Sequence, residues 1–212
     1  MSPSIRVTSL IVGEMAENCY LLADTATYET LIIDPGDDPE YISEIILREK
    51  LKPVKIVATH GHFDHVLGVR ALQLAFNLPF FINKKDQFLV SRAQSTAARF
   101  LQFKKIDPSP WVTDELKDRG KLTFGKSCLT AIATPGHTPG GMSLYSAKSG
   151  MVFVGDLAFA GGSVGRTDFV YADAIKLRKS LKKILSLPEN TIVYPGHGEA
   201  TRVTALRKLL SV

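Results

Sequence analysis

The chain has 212 residues, 45% of them hydrophobic and 22% charged, with a formal net charge of +5. That balance excludes a disordered or fibrous polymer and is enough for one sizeable domain, expected to span residues 1–212. No run of eighteen apolar residues occurs, and the start, Met1-Ser2-Pro3-Ser4-Ile5-Arg6-Val7, lacks the basic-then-apolar layout of a signal peptide, so a cytoplasmic protein with no membrane partner is expected.

The first third reads as β-rich. Residues 5–12, 19–23 and 31–34 are short apolar or β-branched runs, the last closed by Pro35-Gly36. Asp38-Pro39 opens a helix over 40–49, with Ile42, Ile45, Ile46 and Glu49 at helical spacing. Residues 54–59 read as a fourth strand, 65–76 as a helix with Val66, Val69, Leu72 and Phe76 on one side, and 80–82 as a short strand. The segment 84–105 is helix-permissive, with Phe88, Leu89, Phe100, Leu101 and Phe103 as its apolar content; it either covers a site as a lid or packs on the core. Asp107-Pro108-Ser109-Pro110-Trp111 breaks it as a loop. Strand-like runs return at 121–124, 129–134, 142–146 and 151–154, followed by a helix over 172–185, a strand at 191–194 and a helix over 201–210. Two β-rich halves with helices outside them are best buried as two facing sheets with helices on both outer faces.

The positive charge invites a nucleic-acid reading, but its placement argues against one. Lys176-Leu177-Arg178-Lys179 and Lys182-Lys183 interleave with apolar residues at helical spacing, as on a solvated helix face, and an anionic small substrate fits the same charge. The two cysteines, Cys19 and Cys128, are far apart among strand-like residues and read as buried free thiols without metal-site spacing.

The histidines are placed more tellingly. Three of the five fall in Thr59-His60-Gly61-His62-Phe63-Asp64-His65, directly after a strand-like run. Two imidazoles two residues apart on an extended segment point the same way and can share one ion, whereas Asp64 and His65 point elsewhere and could serve a second. His137 follows another such run through Thr134-Pro135-Gly136, His197 follows a third through Pro195-Gly196, and Asp156 follows a fourth after Gly155. Loops carried on rigid strands bring ligands from distant parts of a chain into fixed geometry.

These stretches, with Thr138-Pro139-Gly140 after His137 and Gly198 after His197, resemble in order the motif series of the metallo-β-lactamase superfamily across nearly the whole chain. Within it the chain is similar to the glyoxalase II-like hydrolases, the hydroxyacylglutathione hydrolases, through Glu17-Asn18-Cys19-Tyr20-Leu21, Ile33-Asp34-Pro35-Gly36 and Gly165-Arg166-Thr167-Asp168. The resemblance implies an α/β fold, a four-layer αβ/βα sandwich. It also implies that His60, His62 and His137 bind one metal, Asp64, His65 and His197 a second, and that Asp156 bridges them. The implied activity is hydrolysis of a thioester, such as S-lactoylglutathione or a related acyl thioester, by a hydroxide shared between two divalent ions. One metal would polarise the carbonyl, and a thiolate leaving group needs no dedicated general acid. The nitrogen and oxygen donors suit zinc first, and iron or manganese as well.

Asp64 would in addition orient the hydroxide. Asp34 either fixes a ligand imidazole or simply closes a turn, Thr59 and Thr134 either bond ligands or stabilise turns, and Arg166 either meets substrate at the cleft rim or pairs with Asp168. Only fifteen residues follow His197, where full-length glyoxalase II enzymes carry a helical region holding part of their glutathione site, so a short thioesterase is expected whose acyl group and thiol carrier stay open. Asp156 stands where the zinc β-lactamases most active on antibiotics have Cys, which argues against β-lactam hydrolysis. The persulfide dioxygenases also resemble this chain, at the first histidine motif and at Gly165-Arg166-Thr167-Asp168-Phe169, and would imply one iron on His60, His137 and Asp156. Tyr194-Pro195-Gly196-His197-Gly198 looks more like the hydrolases. A non-catalytic or nucleic-acid-binding member of the same fold is disfavoured because no ligand position is lost.

Overall fold

The structure is a computed structural model that describes residues 5–102 and 106–210. Phe103, part of the apolar content expected for 84–105, lies outside the described residues, as do Lys104 and Lys105.

The first sheet holds β1 (Ile5–Val12), β2 (Glu17–Asp24), β3 (Glu29–Ile33), β4 (Lys52–Val57), β5 (Phe80–Ile82) and β6 (Asp114–Glu115), side by side in that order. Helices α1 (Pro39–Arg48), α2 (Val69–Phe76), α3 (Gln87–Ser91) and α4 (Ala93–Leu101) connect its strands. The second sheet runs β12 (Thr201–Arg202), β11 (Ile192–Pro195), β10 (Met151–Gly155), β9 (Met142–Ser146), β8 (Ser127–Ala133), β7 (Lys121–Phe124), with α5 (Ala174–Leu185) and α6 (Val203–Leu209).

Three apolar layers hold four structural ones. Because side chains alternate along a strand, β2 sends Tyr20 and Leu22 between the sheets, with Leu122, Phe124, Leu129 and Phe153 of the second sheet, and sends Cys19, Leu21 and Ala23 outward. The outward set meets Ile42, Ile45 and Ile46 of α1 and Val69 and Leu72 of α2. On the far side Val152 and Val154 meet Leu177, Leu181 and Ile184 of α5 and Leu206 of α6. β2 and β3 are covered on both faces and carry no exposed residue, their polar side chains Glu17, Asn18, Asp24 and Thr30 being buried along with the apolar ones. The described residues thus form the expected αβ/βα sandwich.

Helix α5 shows the local logic. Asp173 caps it by accepting from the Lys176 N–H at 2.9 Å, and Leu177, Ser180, Leu181 and Ile184 form one buried stripe. Its lysines and arginine lie exposed on the other face, and Leu181→Ala is expected to cost about 2–5 kcal/mol. No helix among the described residues is long and apolar enough to cross a membrane.

Strand direction positions the site. β3, β4, β5 and β6 are parallel, so the segments after β3, β4 and β5 emerge at one edge. In the second sheet β9 is antiparallel to both β8 and β10, and β10 is parallel to β11, so β8, β10 and β11 also end together. The start of β2 joins the two edges: Asn18 donates from Nδ2 to the carbonyls of Pro195 (3.1 Å) and Gly198 (2.8 Å), while the Tyr20 hydroxyl donates to the Pro195 carbonyl at 2.6 Å.

Several boundaries differ from the sequence reading. The helix expected over 65–76 starts at Val69, because Phe63–His65 forms a separate tight turn that buries His65. β6 and β12 are two-residue strands, too short for any periodic signal. Over its described residues, 84–102, the segment expected as helix-permissive is a tight turn followed by two helices that meet at Arg92.

Candidate metal centre

All seven donor residues named from the motifs converge at the shared edge. His62 Nδ1 lies 3.1 Å from His60 Nε2 and 2.9 Å from His137 Nε2. Beside this trio, His197 Nε2 is 3.3 Å and His65 Nε2 3.9 Å from Asp64 Oδ2. Asp156 stands between: its Oδ2 is 3.6 Å from His137 Nε2, and its Oδ1 is 3.4 Å from His65 Nε2 and 3.8 Å from His197 Nε2.

Hydrogen bonds on the outer side of His60, His137 and His197 fix which nitrogen faces inward. The Thr59 hydroxyl gives its proton to Asp34 Oδ2 at 2.6 Å, so it accepts from His60 Nδ1 at 3.1 Å, and His60 Nε2 keeps its lone pair. His137 Nδ1 donates to the Arg166 carbonyl at 2.8 Å and His197 Nδ1 to the Met15 carbonyl at 3.1 Å, with the same result. His65 Nδ1 faces Asp34 Oδ2 at 3.2 Å and Glu17 Oε1 at 3.5 Å. His62 is turned the other way, Nδ1 inward and Nε2 2.9 Å from the Tyr171 hydroxyl. The close contacts of His62 Nδ1 with two lone-pair nitrogens therefore cannot both be hydrogen bonds, since that atom carries one proton at most.

This donor set fits a divalent ion. Ligands about 2.0–2.1 Å from one tetrahedral ion stand roughly 3.3–3.4 Å apart, close to the spacing of the trio. His65 Nε2 and Asp156 Oδ1 are buried without a hydrogen-bond partner, which is costly unless a cation is shared. His60, His62 and His137, then Asp64, His65 and His197, each bring three donor atoms within 4.8 Å of one another.

Electrostatics separate the rings. Burial, reinforced by the neighbouring imidazoles, pushes His60 well below its ordinary pKa, and burial followed by His137 takes His62 down to about 3. For His65 burial opposes charge, but Asp156, Asp34 and Asp64 outweigh it and push the pKa up. Burial likewise opposes ionisation of Asp156 and Asp64, yet His65 and His197 hold both carboxyls below the usual range.

The sequence-level alternatives separate here. Asp34 binds a loop and a ring at once: its Oδ1 accepts from the Thr59 N–H at 2.6 Å while Oδ2 meets the Thr59 hydroxyl and His65. Thr59 bonds a donor histidine, whereas the Thr134 hydroxyl pairs with Ser143 at 2.9 Å. Arg166 forks onto Asp168 at 2.9 and 2.7 Å, its guanidinium 4.7 Å from the Phe169 ring centre, at the rim of the cleft. Cys19 is a buried free thiol; Cys128 is free and half-buried.

A cleft of about 630 Å³ opens onto the donors. Its apolar wall includes Met15, Phe63, Phe100, Phe169 and Tyr171, the last two stacked at 5.3 Å. Helix α4 buries Ala93 and Ala97 in the outer core and lines the cleft with Thr96 and Phe100. Tyr171 and Asp86 were not singled out from sequence, because each is a common residue in a loop without a motif.

The profile described as Metallo-beta-lactamase superfamily matches residues 12–197. The chain is 33% identical over 197 residues to hydroxyacylglutathione hydrolase GloC from Haemophilus influenzae, covering 91% of this chain and 90% of that protein. Among solved structures it is similar to TTHA1623 in a di-iron-bound form, at TM-score 0.85 and 37% identity over 95% of this chain and 96% of that one. It is similar also to BLEG-1 B3 metallo-beta-lactamase, at TM-score 0.87 and 33% identity over 96% and 97% of the two chains. This chain belongs to the metallo-β-lactamase superfamily.

Proposed function

We propose that this protein is a dinuclear metal-dependent hydrolase of acyl thioesters, glyoxalase II-like, with S-lactoylglutathione or a related acyl thioester as substrate. The observation that carries the reading is the placement of Asp156, one oxygen facing the His137 side and the other facing His65 and His197. In this reading His60, His62 and His137 hold one ion, Asp64, His65 and His197 the other, and Asp156 both. Zinc suits these donors, and the 37% identical relative in a di-iron-bound form makes iron the first alternative.

Two divalent ions held by these residues would supply Lewis acidity toward a carbonyl oxygen and would lower the pKa of water toward neutral pH. The protein's own part is orientation. Asp64, held ionised by His197 and His65, presents an acceptor that aligns the proton of an attacking water. Phe169, Tyr171 and Phe100 wall the cleft and reduce the water around the reacting carbonyl. Arg166, its carbonyl fixing His137 and its guanidinium at the rim, meets the carrier portion of the substrate. A departing thiolate, with an ordinary thiol pKa near 8.5, needs no proton donor, in keeping with the use of every histidine as a donor.

A mono-iron persulfide dioxygenase would need only His60, His137 and Asp156. The second donor set, Asp64, His65 and His197, weighs for the hydrolase. The test is a panel of acyl thioesters, S-lactoylglutathione first, with a β-lactam and an oxygen-uptake assay alongside because one relative carries the β-lactamase name. Thioester turnover without oxygen uptake is expected. Oxygen uptake with a persulfide, or β-lactam cleavage without thioester turnover, would overturn the reading.

A further inference from the structure

Asp86 belongs to neither donor set. β5 ends at Ile82, Asn83 accepts from the Lys85 N–H at 3.1 Å and donates from Nδ2 to the Leu116 carbonyl at 2.9 Å, and the turn so fixed places Asp86 beneath the site. Its side chain is fully buried and accepts three hydrogen bonds. Oδ2 takes the Gly61 N–H at 3.0 Å and the Thr138 hydroxyl at 2.6 Å, and Oδ1 takes the Gly140 N–H at 2.6 Å.

Those donors sit on the two loops that carry the first histidine trio. Gly61 separates His60 from His62 on the first sheet's edge, and Thr138 follows His137 on the second's. Both glycines are needed for the approach: a Cβ at Gly61 would come within 2.8 Å of the Asp86 carbonyl oxygen, and one at Gly140 within 2.7 Å of the Asp86 carboxylate. One buried carboxylate thus clamps rigid backbone from opposite sheets at the point where His62 and His137 must meet.

We propose that Asp86 is a positioning residue that sets the separation of the His60-His62 loop from the His137 loop, and so determines whether these three nitrogens can converge on one ion. The inference rests on the metal centre proposed above. Among the described residues the Asp86 carboxylate hydrogen-bonds the loops of the first trio and forms no hydrogen bond or ion pair with Asp64, His65 or His197, so its loss weakens one ion selectively. Asn at 86 keeps the shape but points an amide N–H at a donor that now faces a carboxylate oxygen. A separate strap between the sheets, the Met142 N–H to the Thr59 carbonyl at 2.8 Å, is left intact.

The test is zinc titration of metal-free wild type, Asp86→Asn and Gly140→Ala against a competing chelator, with amide hydrogen exchange of the metal-free wild type. Two zinc ions are expected in wild type, with one of them weakened by about 10–100-fold in both variants and the other unchanged. Slow exchange at the Gly61 and Gly140 amides before any metal is added is also expected, and it does not depend on either variant folding. Equal weakening of both ions, native affinity for both, or fast exchange at those amides would overturn the role of Asp86. Two ions in wild type without thioester turnover would sink the substrate reading alone, while a wild type that takes up no zinc would sink the metal centre and this inference together.

Discussion

The Asp34 carboxylate holds two donor histidines at once: its Oδ2 lies 3.2 Å from His65 Nδ1 and accepts at 2.6 Å from the Thr59 hydroxyl, which in turn accepts from His60 Nδ1. One residue thereby reaches a ring in each donor set, His60 through the Thr59 hydroxyl and His65 by direct charge contact. Asp34→Asn is expected to lower metal affinity at both positions by about 10–100-fold while leaving the fold intact, read by chelator competition and circular dichroism. Unchanged affinity would show that the rings hold their orientation without it.

Asp156 and His197 separate shared from individual contributions. Asp156→Ala is expected to abolish thioester turnover and weaken both ions, as is His60→Ala for turnover, whereas His197→Ala should release one ion and retain the other. Elemental analysis of each variant checks this. Full activity in the Asp156 variant would contradict a two-ion mechanism.

Acid stability follows from the ring pKa values. His62 in the fold titrates at about 3, below the ordinary 6.5 of an unfolded histidine. As pH falls from 6.5 toward 3 the unfolded chain takes a proton that the folded chain refuses, so the metal-free fold loses up to about 1.4 kcal/mol per pH unit from this ring. His65 acts in the opposite sense, its raised pKa giving stability that is present below 6.5 and lost as pH rises through its folded value. Asp64, with its carboxyl held down, loses its contribution as pH falls through its folded value. His62→Ala should therefore narrow the difference in urea midpoint between about pH 7 and pH 5 in metal-free protein. An unchanged difference would contradict the burial of a neutral ring.

Cys19 lies in the outer layer with Leu21 and Ile32, and burial pushes its thiol pKa up. Cys19→Ser is expected to cost about 1–3 kcal/mol of stability by placing a hydroxyl there, with turnover largely intact. A thermal melt beside a steady-state assay tests both halves of that statement.

The sandwich was legible in the sequence because β2, β3, β8 and β10 each hold a short apolar or β-branched run and α1 and α5 carry apolar stripes. The seven side chains that converge were legible as candidates because His and Asp sit just past strand-like runs beside Gly or Pro. What supports the donors was not. Asp86 follows a three-residue strand, Tyr171 lies in a loop fifteen residues beyond Asp156, and their roles depend on which loops the two sheets bring together. Asn18 and Tyr20 were recognisable as part of a motif, but their task, holding the Pro195–Gly198 carbonyls, needed the facing sheet.

The most direct test of the two-ion hydrolase is the metal content of protein purified without chelator or added metal, by elemental analysis per chain. About two divalent ions per chain are expected, matching the two donor sets joined by Asp156. A single iron per chain would contradict it, and would move the assignment to the mono-iron dioxygenase.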